Sequence, residues 1–324
     1  EVWESLANGE RIEGMVNGDY RVLDPYADQF DAVYGTTWGQ SHNITVNGGN
    51  DKIKVMTSLG YAADRSLIDV AYDGQKKYNF RTNLDYKISD MLKTEFNISY
   101  DKRNTSSPSQ GVGQGVQDMS LFPIYNEYGQ FYDTFGNNNL VAKMVEGGRN
   151  NNTEEIIRLG GKLTLDLNKY VKGLSLQTSA NFRIRHHKKI ERQTHVTMYD
   201  WAGEKNSIDG YPDYSQGSGS INSQSSDNDC WVKNTLEETF FQTYNALLNY
   251  NRAFGDHNIG VMAGLTGEKT GYEKYYQFRK GMSNDNLDDI NLGDVTTAEA
   301  TGGRNEVGMI SWIGRLNYDY KGIY

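Results

Sequence analysis

From His42 to Tyr61 apolar and polar residues take turns along the chain. Ile44 and Val46 alternate with Asn43, Thr45 and Asn47, and then comes Gly48-Gly49-Asn50-Asp51. Beyond it, Ile53, Val55, Thr57, Leu59 and Tyr61 alternate with Lys52, Lys54, Met56, Ser58 and Gly60. Period-two alternation on both sides of a Gly-Gly-Asn turn predicts a β-hairpin with one apolar and one polar face. The pattern returns with Tyr78, Phe80, Thr82, Leu84, Tyr86 and Ile88 set against Asn79, Arg81, Asn83, Asp85 and Lys87. Phe96, Ile98 and Tyr100 oppose Glu95, Asn97, Ser99 and Asp101. Similar strands are predicted over 157–168, 174–187, 240–250, 257–269 and 306–320.

That makes about nine strands, and their connections alternate short and long. The short ones are 48–51, 90–92, 169–173 and 252–256; the long ones follow Tyr61 and occupy about 102–155, 188–235 and 270–305. Solenoids and propellers repeat at a fixed length, and sandwich connections lack this regular asymmetry. Alternating strands of ~10 residues, short turns on one side, long loops on the other and tyrosines near strand ends define a transmembrane barrel. The expected fold is all-β: an antiparallel up-and-down transmembrane β-barrel segment, incomplete, with long outer loops. Residues 1–40 are expected to be a partly helical loop segment, and 41–324 the partial barrel. The polar face carries Arg81, Asp85, Lys87, Glu95, Asp101, Lys162, Asp166, Arg183, Arg185, Arg315 and Asp319. Turned to lipid, each Arg or Lys near the midplane would cost roughly 2–4 kcal/mol, so this face is expected to meet a wet lumen or a polar plug.

Composition fits that reading. The 324 residues are 37% hydrophobic with a mean hydropathy of −0.72, low for a packed soluble domain, alongside 23 tyrosines, 35 glycines and 4 prolines. No apolar run reaches the length of a membrane helix, but a barrel strand needs apolar residues only at alternate positions. A net charge of −9 argues against nucleic acid as a partner, because phosphate binding needs clustered Lys and Arg. Cys230, the single cysteine, excludes an internal disulfide. With no signal peptide and no initiating Met, the chain reads as an internal piece of something longer.

The run HNITVNGGNDKIKVMTSLGY followed by KKYNFRTNLDYKISDMLKTEFNISY resembles the SusC/RagA-type TonB-linked outer-membrane transporters of Bacteroidota. SWIGRLNYDYKG resembles another stereotyped strand of that family, and MSNDNLDDINLG the loop that commonly precedes it. The resemblance implies a barrel of about 22 strands plugged by an N-terminal domain, driven by the TonB complex. It also implies a SusD-like lipoprotein lid that captures glycans or peptides. Within these residues no TonB box or plug is recognisable, and fewer than half of the family's strands are present.

Chemistry is sparse. His186 and His187 are adjacent, so on a strand they point to opposite faces and do not chelate with His195. The run Asp285-Asn286-Leu287-Asp288-Asp289 lacks the glycine and spacing of a calcium loop, Ile290 standing where glycine is needed. Gly111-Val112-Gly113-Gln114-Gly115 lacks the last glycine of a dinucleotide fingerprint. No catalytic constellation and no cofactor site is expected. Loop aromatics offer a softer signal, since rings stack on the C–H faces of sugars: Tyr125 and Tyr128 in one long connection, Trp201, Tyr211 and Tyr214 in another, with loop–loop packing the competing use. The leading expectation is part of a TonB-dependent importer of glycans or oligopeptides. The alternatives are a siderophore-type receptor, a passive porin, or a secreted carbohydrate-binding β protein.

Overall fold

A computed structural model describes residues 29–109, 124–125, 130–131, 139–198, 230–284 and 286–322. Nine strands form one antiparallel sheet whose spatial order is the chain order. They are β1 (Gln40–Gly49), β2 (Ile53–Arg65), β3 (Gly74–Lys87), β4 (Leu92–Pro108), β5 (Gly148–Asp166), β6 (Leu174–Gln193), β7 (Trp231–Phe254), β8 (His257–Lys280) and β9 (Glu299–Tyr320). Helix α1 (Gln29–Val33) precedes the sheet and α2 (Leu140–Glu146) lies between β4 and β5. Of the expected 1–40 loop segment, the described part is α1 and the approach to β1; residues 1–28 lie outside the described residues.

In a meander of this kind connections alternate between rims, and here the tight ones share a rim. Each has its own polar device. Asn50 Oδ1 accepts from the amides of Lys52 and Ile53, at 2.8 and 2.9 Å, closing the first hairpin. Ser89 Oγ does the same for Met91 and Leu92. Between β7 and β8 the turn is only Gly255-Asp256, with Gly255 at φ +61, a left-handed conformation that glycine adopts without strain. Gly49 and Tyr125 therefore lie at opposite ends of the sheet.

The register fixes the inclination of the strands. A row perpendicular to them starts at Ile53, at the tight-turn end of β2, and passes through Tyr86, Thr94, Leu163, Thr178, Ala246 and Leu265 to Trp312. Trp312 is eight residues short of the end of β9 at Tyr320. Eight residues over seven strand steps, at ~3.3 Å per residue and ~4.8 Å per step, correspond to a tilt of roughly 38°, inside the range of membrane barrels.

A strand so inclined crosses hydrocarbon in about 9–11 residues, and one face shows windows of that length. They run over 53–61 in β2, 92–100 in β4, 174–184 in β6 and 310–320 in β9. Each is apolar or aromatic on alternate residues, with Thr or Gly as the exceptions: Leu174, Leu176, Thr178, Ala180, Phe182 and Ile184 on β6, for example. Among the described residues nothing covers this face: Ile44 is 67% exposed, Phe96 48% and Leu316 72%. In water such a sheet would be one large aggregating patch; in a bilayer the lipid is its cover. Past the windows the same face changes abruptly to ion pairs, Lys102–Glu155 at 2.8 Å, His186–Glu238 at 3.0 Å and Lys269–Glu306 at 3.0 Å. Tyr61, Tyr78 and Tyr100 stand at or next to that change, where amphipathic rings belong.

The strands are longer than the ~10 residues expected from sequence, reaching 24 in β7 and β8. Residues 252–254, expected in a turn, extend β7, and β4, β5, β7 and β9 each continue into stretches expected to be loop. Beyond the bilayer both faces are wet, so hydrophobic alternation stops while the backbone ladder continues.

Buried core is confined to the long-connection rim. Val33 of α1 packs with Leu140, Val141 and Met144 of α2; Ala142 packs with Val196 and Met198; Cys230, Val232 and Met282 form a third cluster. The windows give a direct expectation. In urea titrations of the protein in phospholipid vesicles, Leu163→Arg, inside the window of β5, should destabilise by about 2–4 kcal/mol. Leu236→Arg, on the same face but above the window of β7, should cost about 0–1 kcal/mol; equal costs would remove the assigned boundary.

Candidate functional site

The second face carries charged and amide side chains from rim to rim, with a few apolar residues such as Ile156, Phe241 and Met262 among them. Partners across an antiparallel ladder share a face, so the pairings carry the face from strand to strand. Arg81 is opposite Ser58 and Ser99, Asp85 opposite Lys54 and Glu95, Lys162 opposite Glu95 and Ser179, and Arg183 opposite Arg158. Asp166 is opposite Ser175, Arg185 opposite Thr239, and Arg315 opposite Met262. These seven charged residues share one face, and so do Lys87, Glu95, Asp101 and Asp319, while Leu163, Leu165, Phe182 and Ile184 lie on the other.

Side chains on the polar face bond across the strands. Lys162 Nζ donates to Glu95 Oε1 at 3.2 Å, Arg158 bonds Asp101, Asn245 donates to Ser179 Oγ at 3.1 Å, and Thr266 donates to Asn245 Oδ1 at 2.9 Å. Higher up, past the apolar windows, lies a charge chain across five strands. Glu154 takes Arg185 Nε at 2.6 Å and stands 3.9 Å from Arg103. Glu237 takes Lys274 at 3.0 Å and His187 at 3.3 Å, with Arg185 at 3.9 Å between the two carboxylates. Sequence reasoning missed Glu154, Glu237, Arg103 and Lys274 because they lie outside the expected strands. Opposite charges at matched distances from the tight turns were the available signal.

At the outer end of the same face, Trp231, Tyr276 and Phe278 line a cavity of about 530 Å³ with Gln193, Lys233, Lys280 and Glu299. The indole of Trp231 donates to Gln193 Oε1 at 2.9 Å and lies 5.7 Å from the Phe278 ring. Lys233 sits 4.9 Å over the centre of Tyr276. These aromatics are on strands rather than in the loops from which ring contacts were expected.

Of those loop aromatics, Tyr125 is placed: it is 41% exposed and its ring stacks on Phe131 at 5.1 Å. Phe131 in turn packs on two of the buried clusters. Asn139 ties this region to α2, capping it by accepting from the Ala142 amide at 3.0 Å while donating to the Ile124 carbonyl at 2.8 Å. Tyr128, Trp201, Tyr211 and Tyr214 lie outside the described residues. His186 and His187 bond carboxylates on opposite faces, as strand geometry requires, and His195 lies 2.7 Å from the Cys230 thiol at the long-connection rim. Asp288 pairs with Arg192 at 2.9 Å and Asp289 caps a 3₁₀ turn through the Asn291 amide, so these two carboxylates are drawn apart. Asp294 caps the next turn, and the amide and hydroxyl of Thr296 hold its carboxyl below the usual range. Among the described residues no three His, Cys, Asp or Glu side chains are grouped as a metal site.

Comparison with known proteins agrees with this geometry. No family model matches the chain. TonB-dependent receptor P26 of Formosa agariphila is 25% identical over 93% of the chain, and TonB-dependent receptor P3 of the same organism is 21% identical over 97%. The chain spans only 28% and 29% of their lengths. Among solved structures, the RagAB peptide transporter superposes with a TM-score of 0.68 at 16% identity, over 92% of this chain and 32% of that one. The RagAB peptide importer in its 'open-open' state gives the same score. The chain thus resembles TonB-dependent receptors along nearly its whole length, and its sheet has the fold of an outer-membrane β-barrel wall, as in RagAB.

Glu237 and Glu238 offer a paired test of the charge chain. Glu237→Gln strips one carboxylate from Lys274, Arg185 and the His187 ring and should lower stability by about 1–2 kcal/mol. Glu238→Gln, its neighbour on the opposite face with only His186 to lose, should lower it by less than about 0.5 kcal/mol. Thermal unfolding in detergent measures both.

Proposed function

We propose that this chain forms part of the barrel wall of a TonB-dependent active importer for glycans or oligopeptides, working with a SusD-like surface lipoprotein. The observation that carries the reading is the charged, cross-bonded polar face directly behind lipid-width apolar windows. Arg81, Asp85, Lys162, Asp166, Arg183 and Arg315 stand level with the windows, where a charge turned to lipid is costly, so they face the lumen, and Arg185 continues the same face just above them. Long arginine and lysine side chains in such numbers suit a wide lumen holding a polar plug rather than the tightly filled interior of a small barrel. A protein folded in water would need a second apolar layer over Ile44, Phe96 and Leu316, which argues against the secreted alternative.

In this reading the buried clusters on the outer rim form a rigid cap around the entrance, and Tyr125, Tyr128, Trp201, Tyr211 and Tyr214 contact arriving ligand. The partner lipoprotein would sit over that cap. RagAB, with the same fold, is a peptide importer, and its resemblance favours uptake over passive conduction. The test is uptake of labelled oligosaccharides and oligopeptides by cells carrying the complete receptor. Uptake should fall more than tenfold on adding an uncoupler or deleting TonB, and should fall on deleting the partner lipoprotein. Uptake indifferent to energy would mean a porin, and uptake of iron chelates alone a siderophore-type receptor.

A further inference from the structure

The polar face contains a like-charge pairing that the fold does not require. Arg158 on β5 and Arg183 on β6 are direct cross-strand partners. Like charges so placed destabilise a sheet. Arg158 is neutralised by Asp101, but among the described residues Arg183 has no carboxylate partner, and neither does Arg81. Arg81 stands at the same level: it is opposite Ser99, which is opposite Arg158. The three guanidinium stems therefore line one row across four strands, with the small Ser99 leaving a gap of about 10 Å between Arg81 and Arg158.

The next residues of this face, toward the tight-turn rim, add neutral hydrogen-bonding groups. Asn97 and Asn181 flank Gly160 in the ladder and fold over it so closely that an added Cβ would come within 2.5 Å of Asn97 Oδ1 and 2.8 Å of Asn181 Oδ1. Glycine is what lets the two carboxamides converge. Guanidinium forks recognise carboxylates in two-point fashion, and carboxamides pair with hydroxyls. An array of both fits a molecule that carries acids and alcohols together. The cavity at the outer end of the same face points the same way, since Trp231, Tyr276 and Phe278 present rings for sugar C–H faces while Lys233 and Lys280 outnumber the one carboxylate, Glu299.

We infer that the row Arg81–Arg158–Arg183, with Asn97 and Asn181, binds the carboxylates of an acidic oligosaccharide travelling along the polar face from that cavity. This rests on the proposed import function and narrows its substrate class to uronate-bearing glycans. The two elements lie roughly 28 Å apart from Phe278 to Arg183, so an oligomer, rather than a single sugar, spans them.

The test uses the complete receptor in detergent with three probes: an oligogalacturonate, a neutral cello-oligosaccharide and an oligoglutamate peptide. Arg81→Gln with Arg183→Gln leaves the Arg158–Asp101 pair intact. It should weaken oligogalacturonate binding at least tenfold in calorimetry and leave the neutral sugar unchanged, with Arg183→Lys in between. Unchanged oligogalacturonate affinity in the double variant would overturn the inference, as would tighter binding of oligoglutamate than of oligogalacturonate by the unaltered receptor. Should the double variant fail to assemble, the unaltered protein decides. Raising NaCl from 50 to 500 mM should weaken the acidic sugar at least fivefold and spare the neutral one, and equal effects would overturn the assignment. Energised uptake of neutral glycans with no preference for acidic ones would defeat this inference alone, whereas no energised uptake of any glycan or peptide would defeat the import reading as well.

Discussion

Everything in this sheet depends on one requirement: in hydrocarbon a backbone amide or carbonyl has no water to fall back on, so each must bond another strand. The uninterrupted registers from β1 to β9 are the answer, and they free the side chains from holding the fold together. One face needs only to be acceptable to lipid, the other only to water. That is why the chain can average so polar a composition and still belong to a membrane. Within the described residues the outer edges of β1 and β9 are unpaired, and the same requirement demands that further strands cover them in the bilayer.

Where side chains meet lipid, the sequence is readable. Ile53 to Tyr61, Leu92 to Tyr100 and Leu174 to Ile184 alternate because lipid selects every second residue, and both the strand count and the two faces follow from them. Above the windows that selection ends. Arg103, Glu154, Glu237 and Lys274 belong to strands as regular as any below, but with water on both sides nothing in their order separates strand from loop. The cavity residues were hidden for the same reason: Trp231 stands at the far end of β7, thirteen residues beyond Tyr244, in a stretch whose polarity is that of a connection. The convergence on Gly160 is illegible for another reason, since it joins residues of three strands whose register no single segment encodes.

At 16% identity to RagAB the backbone is kept while most side chains differ. A barrel wall tolerates this, because lipid accepts any apolar residue and the ladder is made of main chain. Fold alone therefore says little about cargo. What distinguishes one such wall from another is the arrangement of charge and amide on the polar face, and a like-charged arginine pair there is a choice that packing does not dictate.

The two rims of the sheet are not parallel. The perpendicular row through Arg65, at the outer end of β2, passes through Gly74, Ser106, Asn151, Ile190, Asn234 and Gln277 to Ala300, one residue from the outer end of β9. While the tight-turn rim steps along the membrane, the outer rim follows the strand perpendicular and climbs away from it. At a tilt of roughly 38°, β8 rises about 60 Å from its tight turn, whereas β2 rises about 35 Å. The outer rim of this sheet is thus cut on the slant, like a hood, with a high wall at β7–β8 and a low sill at β2–β3. If this wall borders the entrance of an importer, as proposed, a long, flexible solute would meet the high side first and slide along it, so the slope would order which part of the solute enters first.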